Sequence, residues 1–563
     1  MDPFVLQEKT LGALLDETIC RHSDNDAVIH HERPLRQSWL EFGKSVDDLA
    51  RGLMALGVQK GEKIAIWATN VPHWLTLMFA GARIGAILIT VNTSYHAREL
   101  EFLLRQSDCE NLFMLDSYRD HDFIKILKTA VPQIGEQPSD SLNIPQLPEL
   151  RRIFLMGDKS KRGLRCLSDV TALAQNTSPA DYAARKADIK PYDVINMQYT
   201  SGTTGFPKGV MLSHVNIVNN GYWIGRHQNF SSNDRICLPV PLFHCFGCVL
   251  GVMAAVNHGA TMVIVEAFNP LHVMDAIEKE RCTGVYGVPS MFLSMLEHRH
   301  FSRYDLSSLR TGIMAGSVCP APLMRRVVEE MHMREITICY GMTEASPVMT
   351  QTHADEDFER RISSVGRAMP GITVLVADPQ ALPDQLREMP YGIPGEVICK
   401  GYNVMEGYYK LPGETAAAVT PDGWLRSGDM GIMDEAGYLV ITGRIKDMII
   451  RGGENIYPRE IEEFISGMDQ VMDVQVVSVP NRKYGEEVVA FIIPKEGASL
   501  RAEDVRAYCK GRLAWHKVPR HMVFVDSYPM TGSGKIQKFK LREMALELFP
   551  DSEREKGEGV RSE

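Results

Sequence analysis

From Tyr199 to Gly209 the chain reads Tyr-Thr-Ser-Gly-Thr-Thr-Gly-Phe-Pro-Lys-Gly, a run of hydroxyls and glycines closed by one lysine. Glycine lets backbone N–H groups approach an anion closely, hydroxyls donate further hydrogen bonds, and Lys208 adds positive charge. Residues 194–199 read as a strand, so the loop sits at a strand's carboxyl end. Thr200, Ser201, Gly202, Thr203, Thr204, Gly205 and Lys208 are therefore candidate ligands for a phosphorylated substrate. A Walker A loop is excluded: counted from Gly202, that pattern needs glycine at 207, where Pro207 stands.

A second constellation, His244-Cys245-Phe246-Gly247-Cys248, has the CxxC spacing of metal and redox sites. A structural zinc site needs another Cys/His pair at similar spacing, and the chain contains none. Buried free thiols are the expected reading.

Further blocks follow in order: Tyr340-Gly341-Met342-Thr343-Glu344, Trp424-Leu425-Arg426-Ser427-Gly428-Asp429, Gly443-Arg444-Ile445-Lys446-Asp447, a run from Arg451-Gly452-Gly453 to Glu462, and Thr531-Gly532-Ser533-Gly534-Lys535. With them the chain resembles the adenylate-forming superfamily of acyl-CoA synthetases, peptide-synthetase adenylation domains and luciferases. The resemblance extends over nearly the whole chain. It implies that Tyr340, with Gly341 and Met342, sets a ring beside adenine, that Thr343 lies near the α-phosphate, and that Glu344 binds Mg²⁺. It further implies that Asp429 and Arg444 hold the ribose, Lys446 is an interdomain hinge, Gly452 and Gly453 line a coenzyme A channel, and Lys535 is the lysine of adenylation. The adenine segment departs from the usual Gly-Gly-Ala-Pro: it reads Ala315-Gly316-Ser317-Val318-Cys319-Pro320, leaving Gly316 and Ser317 as the nucleotide contacts. Ser427 replaces a commoner threonine.

These residue types suit the implied chemistry. A carboxylate is a poor electrophile until attack on the α-phosphate of ATP makes it a mixed anhydride. That step gathers negative oxygens, so catalysis is mainly positioning and charge stabilisation, from Mg²⁺, Lys208 and Lys535. One carboxylate plus substrate phosphates is a common Mg²⁺ site, which suits Glu344. The family's acyl-pocket positions fall here on Trp223, His244, Met314, Ala315 and Met342, with Asn220, Ile224, Val288 and Val348 beside them. No aspartate stands near Trp223 to hold an α-amino group, so a fatty or alicyclic acid is favoured, medium-chain by resemblance of residues 443–462.

The elements that must hold these residues show in the patterning. Residues 1 to about 130 alternate helical and strand patterns, including an amphipathic run at 39–56 and a strand at 63–68, which suggests βαβ units and a mostly parallel sheet. Residues 131–150 and 176–192 are polar connections. The apolar stretch 74–91 contains Arg83 and two glycines, and reads as a buried helix followed by a strand, not a membrane span. Strands are expected at 262–265 and 284–287, and helices at 289–297 and 322–333. Short strands after Gly371 form a β-rich subdomain; strands at 475–479 and 488–493 and a helix at 502–512 follow.

The expected fold is α/β: a large N-terminal domain of two doubly wound parts plus the β-rich subdomain, then a small mobile α+β domain. The expected boundaries are 1–445 for nucleotide and acyl binding, 446–550 for the lid, and 551–563 for a charged tail.

At 563 residues more than one domain is expected. Lys plus Arg number 61 against 71 Asp plus Glu, a balance that argues against a nucleic-acid partner. An odd count of eleven cysteines, no apolar leader at the N-terminus and no peroxisomal ending indicate a cytoplasmic protein without an integral membrane segment. ATP, Mg²⁺, coenzyme A and a small carboxylic acid are the expected ligands, and a homodimer is allowed. The rival readings are an enzyme that loads a carrier-protein thiol and a non-catalytic nucleotide or acyl-ligand sensor. Retention of Lys535 and Glu344 weighs against the sensor.

Overall fold

A computed structural model describes residues 3–134, 136–200, 207–382, 385–530 and 536–550. Ser201, Gly202, Thr203, Thr204 and Gly205 of the phosphate loop, Lys535 and the tail lie outside the described residues. By density of contacts the chain divides into two compact units. One comprises residues 1–374 and 398–426, the other 375–397 and 427–563.

The first unit contains two large mixed sheets. In the nine-stranded sheet, Glu335–Gly341, Thr311–Met314, Gly284–Gly287, Arg235–Leu238, Thr261–Ile264 and Asp26–His30 run parallel as neighbours in that order. In the eight-stranded sheet, Val194–Thr200, Ile87–Thr90, Lys63–Trp67, Asn111–Met114 and Arg152–Leu155 do the same. Helices connect the strands, as an alternating pattern of periods demands. The helix Trp39–Ala55 opens on a capping box between Ser38 and Glu41 and buries Trp39, Phe42, Val46, Leu49 and Leu53 on one stripe. Each such side chain contributes about 1.5–3 kcal/mol by leaving water.

The apolar stretch expected as helix then strand is the helix Pro72–Ile84 and the strand Ile87–Thr90. Proline at the first turn starts the helix, and Gly85 ends it in the left-handed region at φ 76°. Among the described residues no helix is long and apolar enough to cross a membrane. Residues 176–192, read from sequence as a plain connection, contain the helix Pro179–Asp188. None of its residues is buried, so it has no apolar stripe to betray it; Ser178 caps it through Asp181 N–H.

In the second unit, Val471–Asn481 and Gly485–Pro494 form a long antiparallel pair, with His521–Phe524 parallel to the latter. The helix expected to reach Arg512 is Ala502–Cys509; Gly511, at φ 74°, cannot continue it.

Arg83 is the one charge inside the apolar helix and is 1% exposed. Asp16 lies 2.5 Å from its guanidinium, and Asp47 forms a second ion pair while accepting from the Tyr182 hydroxyl. A buried cation stripped of a partner is costly. Asp47→Ala should therefore lower stability by about 1–2 kcal/mol, a value discounted because the Asp47 carboxylate is partly exposed. Denaturant titration reads this directly; an unchanged midpoint would mean that Asp16 alone satisfies the guanidinium.

Candidate active site

Four neighbouring parallel strands deliver expected site residues from their carboxyl ends. The chain leaves Arg235–Leu238 toward His244, Gly284–Gly287 at Val288, Thr311–Met314 at Ala315, Gly316 and Ser317, and Glu335–Gly341 at Met342, Thr343 and Glu344. The carboxyl edge of such a sheet is where α/β proteins bind ligands. Gly316 is exposed at φ 90°, and Ser317 is exposed beside it. Tyr340 is half-buried at the end of its strand, opposite Thr350. Gly341 has a packing reason of its own: a Cβ there would lie 1.8 Å from the carbonyl oxygen of Pro347.

Thr343 and Glu344 are buried in a single turn that follows. Thr343 Oγ1 lies 3.7 Å from Cys245 Sγ. Glu344 Oε1 accepts a hydrogen bond from the Tyr408 hydroxyl at 2.8 Å. Burial first, and the Glu344 charge second, push the Tyr408 pKa upward, so the phenol remains a donor.

On the eight-stranded sheet, Val194–Thr200 and Lys208–Ser213 pair antiparallel with Thr200 directly opposite Lys208. The ends of the phosphate loop are thus held together by a strand pair. Lys208 Nζ stands 4.9 Å from the centre of the Tyr408 ring and forms an ion pair with Glu414. Tyr408 lies on the edge strand Gly407–Tyr408, paired with Lys208–Ser213. Tyr408 and Glu414 were not found from sequence, because a tyrosine and a glutamate in a turn-rich stretch carry no distinguishing signal.

The expected acyl residues are placed unevenly. Met314 and Ala315 are buried at their strand end, and Met342 is half-buried. His244 Nδ1 accepts from the Phe246 N–H at 3.2 Å. Asn220 is tied to the backbone of Val348 in both directions, at 2.9 and 3.1 Å. Trp223, on the helix His214–His227, is 4% exposed and packs 6.3 Å from the Phe4 ring. Phe4 in turn stacks on Tyr402 and borders a cleft of about 430 Å³ that contains none of the expected site residues.

The remaining candidates lie in the second unit. Asp429 and Arg444 face each other across the strands Leu425–Met433 and Leu439–Arg444, with Arg444 Nε 3.1 Å from Asp429 Oδ1. Gly428 takes φ 71°, and its N–H donates to the buried Glu396 carboxylate at 3.0 Å. Ser427 accepts from the Asp429 N–H at 3.0 Å and donates to the Val397 carbonyl, so a hydroxyl is all this position needs. Lys446 lies in the short turn Ile445–Asp447, its pKa lowered by lost hydration first and by the Arg444 cation second. Gly452 and Gly453, at φ 64° and 87°, form the two-residue turn between Ile449–Arg451 and Glu454–Ile456.

Two family models match the chain: AMP-binding enzyme over residues 15–409 and AMP-binding enzyme C-terminal domain over residues 460–535. YngI of Bacillus subtilis (strain 168), provisionally named an acyl-CoA synthetase, is 49% identical over 97% of this chain and 98% of its own. The mitochondrial medium-chain acyl-CoA ligase ACSF2 of Bos taurus is 39% identical over 96% of this chain and 88% of its own. Among solved structures, ATP-bound MatB from Rhodopseudomonas palustris superposes with a TM-score of 0.81 at 27% identity, covering 96% of this chain and 99% of that one. The edge of parallel strands carrying Thr343 and Glu344, the Thr200–Lys208 pair and these full-length matches agree: the chain belongs to the AMP-binding enzyme family, in the acyl-CoA synthetase branch of the adenylate-forming superfamily.

Proposed function

We propose that this acyl-CoA synthetase joins a medium-chain fatty or alicyclic acid to coenzyme A through an acyl-adenylate. The acid's carboxylate attacks the α-phosphorus of ATP and pyrophosphate leaves. The coenzyme A thiol then attacks the acyl carbon, giving the thioester and AMP. The observation that carries the first step is the arrangement around Tyr408. Its hydroxyl holds Glu344 and its ring face lies under Lys208, so an anion and a cation are brought together without pairing with each other, while Glu414 holds the lysine.

Glu344 fits a Mg²⁺ site: among the described residues its Oε2 carries no hydrogen bond, and one carboxylate oxygen with substrate phosphates is a common magnesium set. The ion would supply charge neutralisation for the departing pyrophosphate. Thr343 would donate to the α-phosphate, Asp429 would accept from the ribose hydroxyls with Arg444 beside it, and Lys535 would serve adenylation alone. Residues 446–550 would turn about Lys446 before the thiol step, bringing Gly452 and Gly453 to the pantetheine arm.

The choice of acid rests on apolar surroundings at Met314, Ala315 and Val288, and on similarity to proteins named medium-chain acyl-CoA ligases. Each buried methylene contributes about 0.8 kcal/mol, so preference should climb gradually with chain length until a wall intervenes. Nine of the eleven cysteines are buried and all are free, which suits a reducing compartment; we place the enzyme in the cytoplasm.

Three measurements test this reading. AMP release with ATP and Mg²⁺ should depend on coenzyme A and peak among C6–C12 acids in a series from acetate to palmitate with cyclohexanecarboxylate; turnover only with a carrier protein would redirect it. Lys535→Ala should abolish pyrophosphate exchange yet leave thioester formation from supplied acyl-adenylate largely intact, and equal loss of both steps contradicts the lysine's role. Tyr408→Phe, which frees Glu344 from its donor, should raise the magnesium concentration for half-maximal exchange about tenfold. An unaltered magnesium dependence would confine Tyr408 to packing.

A further inference from the structure

The His244–Cys248 segment is the one motif that the reaction just described leaves without a task beyond its histidine. Its two thiols are one turn apart, and each touches a different part of the nucleotide site. Cys245, 4% exposed, has Sγ 3.7 Å from Thr343 Oγ1 and 3.6 Å from His244 Nδ1. Cys248, fully buried, accepts from Gln198 Nε2 at 3.2 Å, and Gln198 lies on the strand Val194–Thr200 that leads to the phosphate loop. The segment then winds as a π-helix, Phe246–Met253, a rare form that places an extra residue in each turn. Gly247 allows the tight approach, since a Cβ there would lie 2.3 Å from the Pro241 carbonyl oxygen.

Resting on the ligase reading above, we infer that Cys245 is a positioning residue for adenylation: its S–H donates to Thr343 Oγ1 and turns the threonine's own proton toward the α-phosphate. The logic is donor counting. A phosphate oxygen only accepts, so Thr343 must donate to it, and the threonine oxygen is then left with lone pairs in a buried place. A neighbouring donor that fills one of them fixes the direction of the hydroxyl proton. Either group can be the donor across the 3.7 Å contact, so the threonine's commitment to phosphate is what sets the thiol as donor there. Cys248 holds the other end of the segment against the loop strand, so the motif spaces the α-phosphate donor from the loop.

The test compares two single substitutions at Cys245. Cys245→Val removes the donor and Cys245→Ser keeps one. In pyrophosphate exchange, Cys245→Val should lower kcat/KM for ATP about five- to tenfold, the range of one neutral hydrogen bond, while KM for the acid stays level. Cys245→Ser should recover to within about twofold of the unmodified enzyme. In a Thr343→Val background, Cys245→Val should cost nothing further. The inference is overturned if Cys245→Val matches the unmodified enzyme, if Cys245→Ser falls as far as the valine variant, or if the two losses multiply. Failure of the unmodified enzyme to exchange pyrophosphate would instead reject the ligase reading. The same variants are then judged by ATP affinity in titration calorimetry, against the same three outcomes.

Discussion

Two opposite charges, Glu344 and Lys208, are brought to one tyrosine and kept from pairing with each other. A carboxylate and an ammonium in contact near a protein surface attract by about 4 kcal/mol, and this pair is held apart by the phenol between them. Tyr408 takes the carboxylate on its hydroxyl and the ammonium on its ring face, and Glu414 balances the lysine from outside. The three residues come from different places: Glu344 from the carboxyl edge of the nine-stranded sheet, Lys208 from the second strand of the loop hairpin, Tyr408 from an edge strand of the eight-stranded sheet. Both sheets must therefore be complete before the site exists. This ties the chemistry of the first unit to its whole core and not to any one loop.

The same economy governs the strand ends. In parallel strands every carboxyl terminus points to one edge, so residues far apart in the chain, from His244 to Glu344, gather there without a dedicated loop. Several buried polar groups of the first unit are committed. Asn220 closes on the Val348 backbone, Gln198 on Cys248, and the Ser213 cap on Asn216. Committed groups hold their rotamers, and a site built for charge stabilisation depends on donors that are already aimed.

The second unit uses a different device. Asp429 and Arg444 are opposite residues on adjacent antiparallel strands, so strand register alone sets their separation. Gly428 takes a backbone conformation that side chains disfavour, and its N–H is secured by Glu396. The Gly452–Gly453 turn owes its composition to two positive φ angles, which a two-residue hairpin of this hand requires. Its glycines are thus accounted for by the hairpin, and a role toward coenzyme A would be added to that need.

Local patterns were enough for much of this. Period and punctuation located the helix Trp39–Ala55 and the strands Lys63–Trp67 and Gly284–Gly287 to within a residue or two, and gave Pro72–Ile84 and Ile87–Thr90 as one stretch of helix then strand, because burial leaves a regular apolar trace. The exposed helix Pro179–Asp188 leaves no such trace, and went unread for that reason. The family was legible in blocks of glycine, hydroxyl and charged residues at fixed spacing, since such blocks have few uses. By itself, then, the sequence determined the α/β class and the family, and it named the candidate residues of a nucleotide site. Only the tertiary structure decided that Tyr408 stands between Glu344 and Lys208, that Cys245 meets Thr343, and that Trp223 packs on Phe4. Such partners are separated by tens to hundreds of residues, and what joins them is strand order and the packing of two sheets, which no local pattern records.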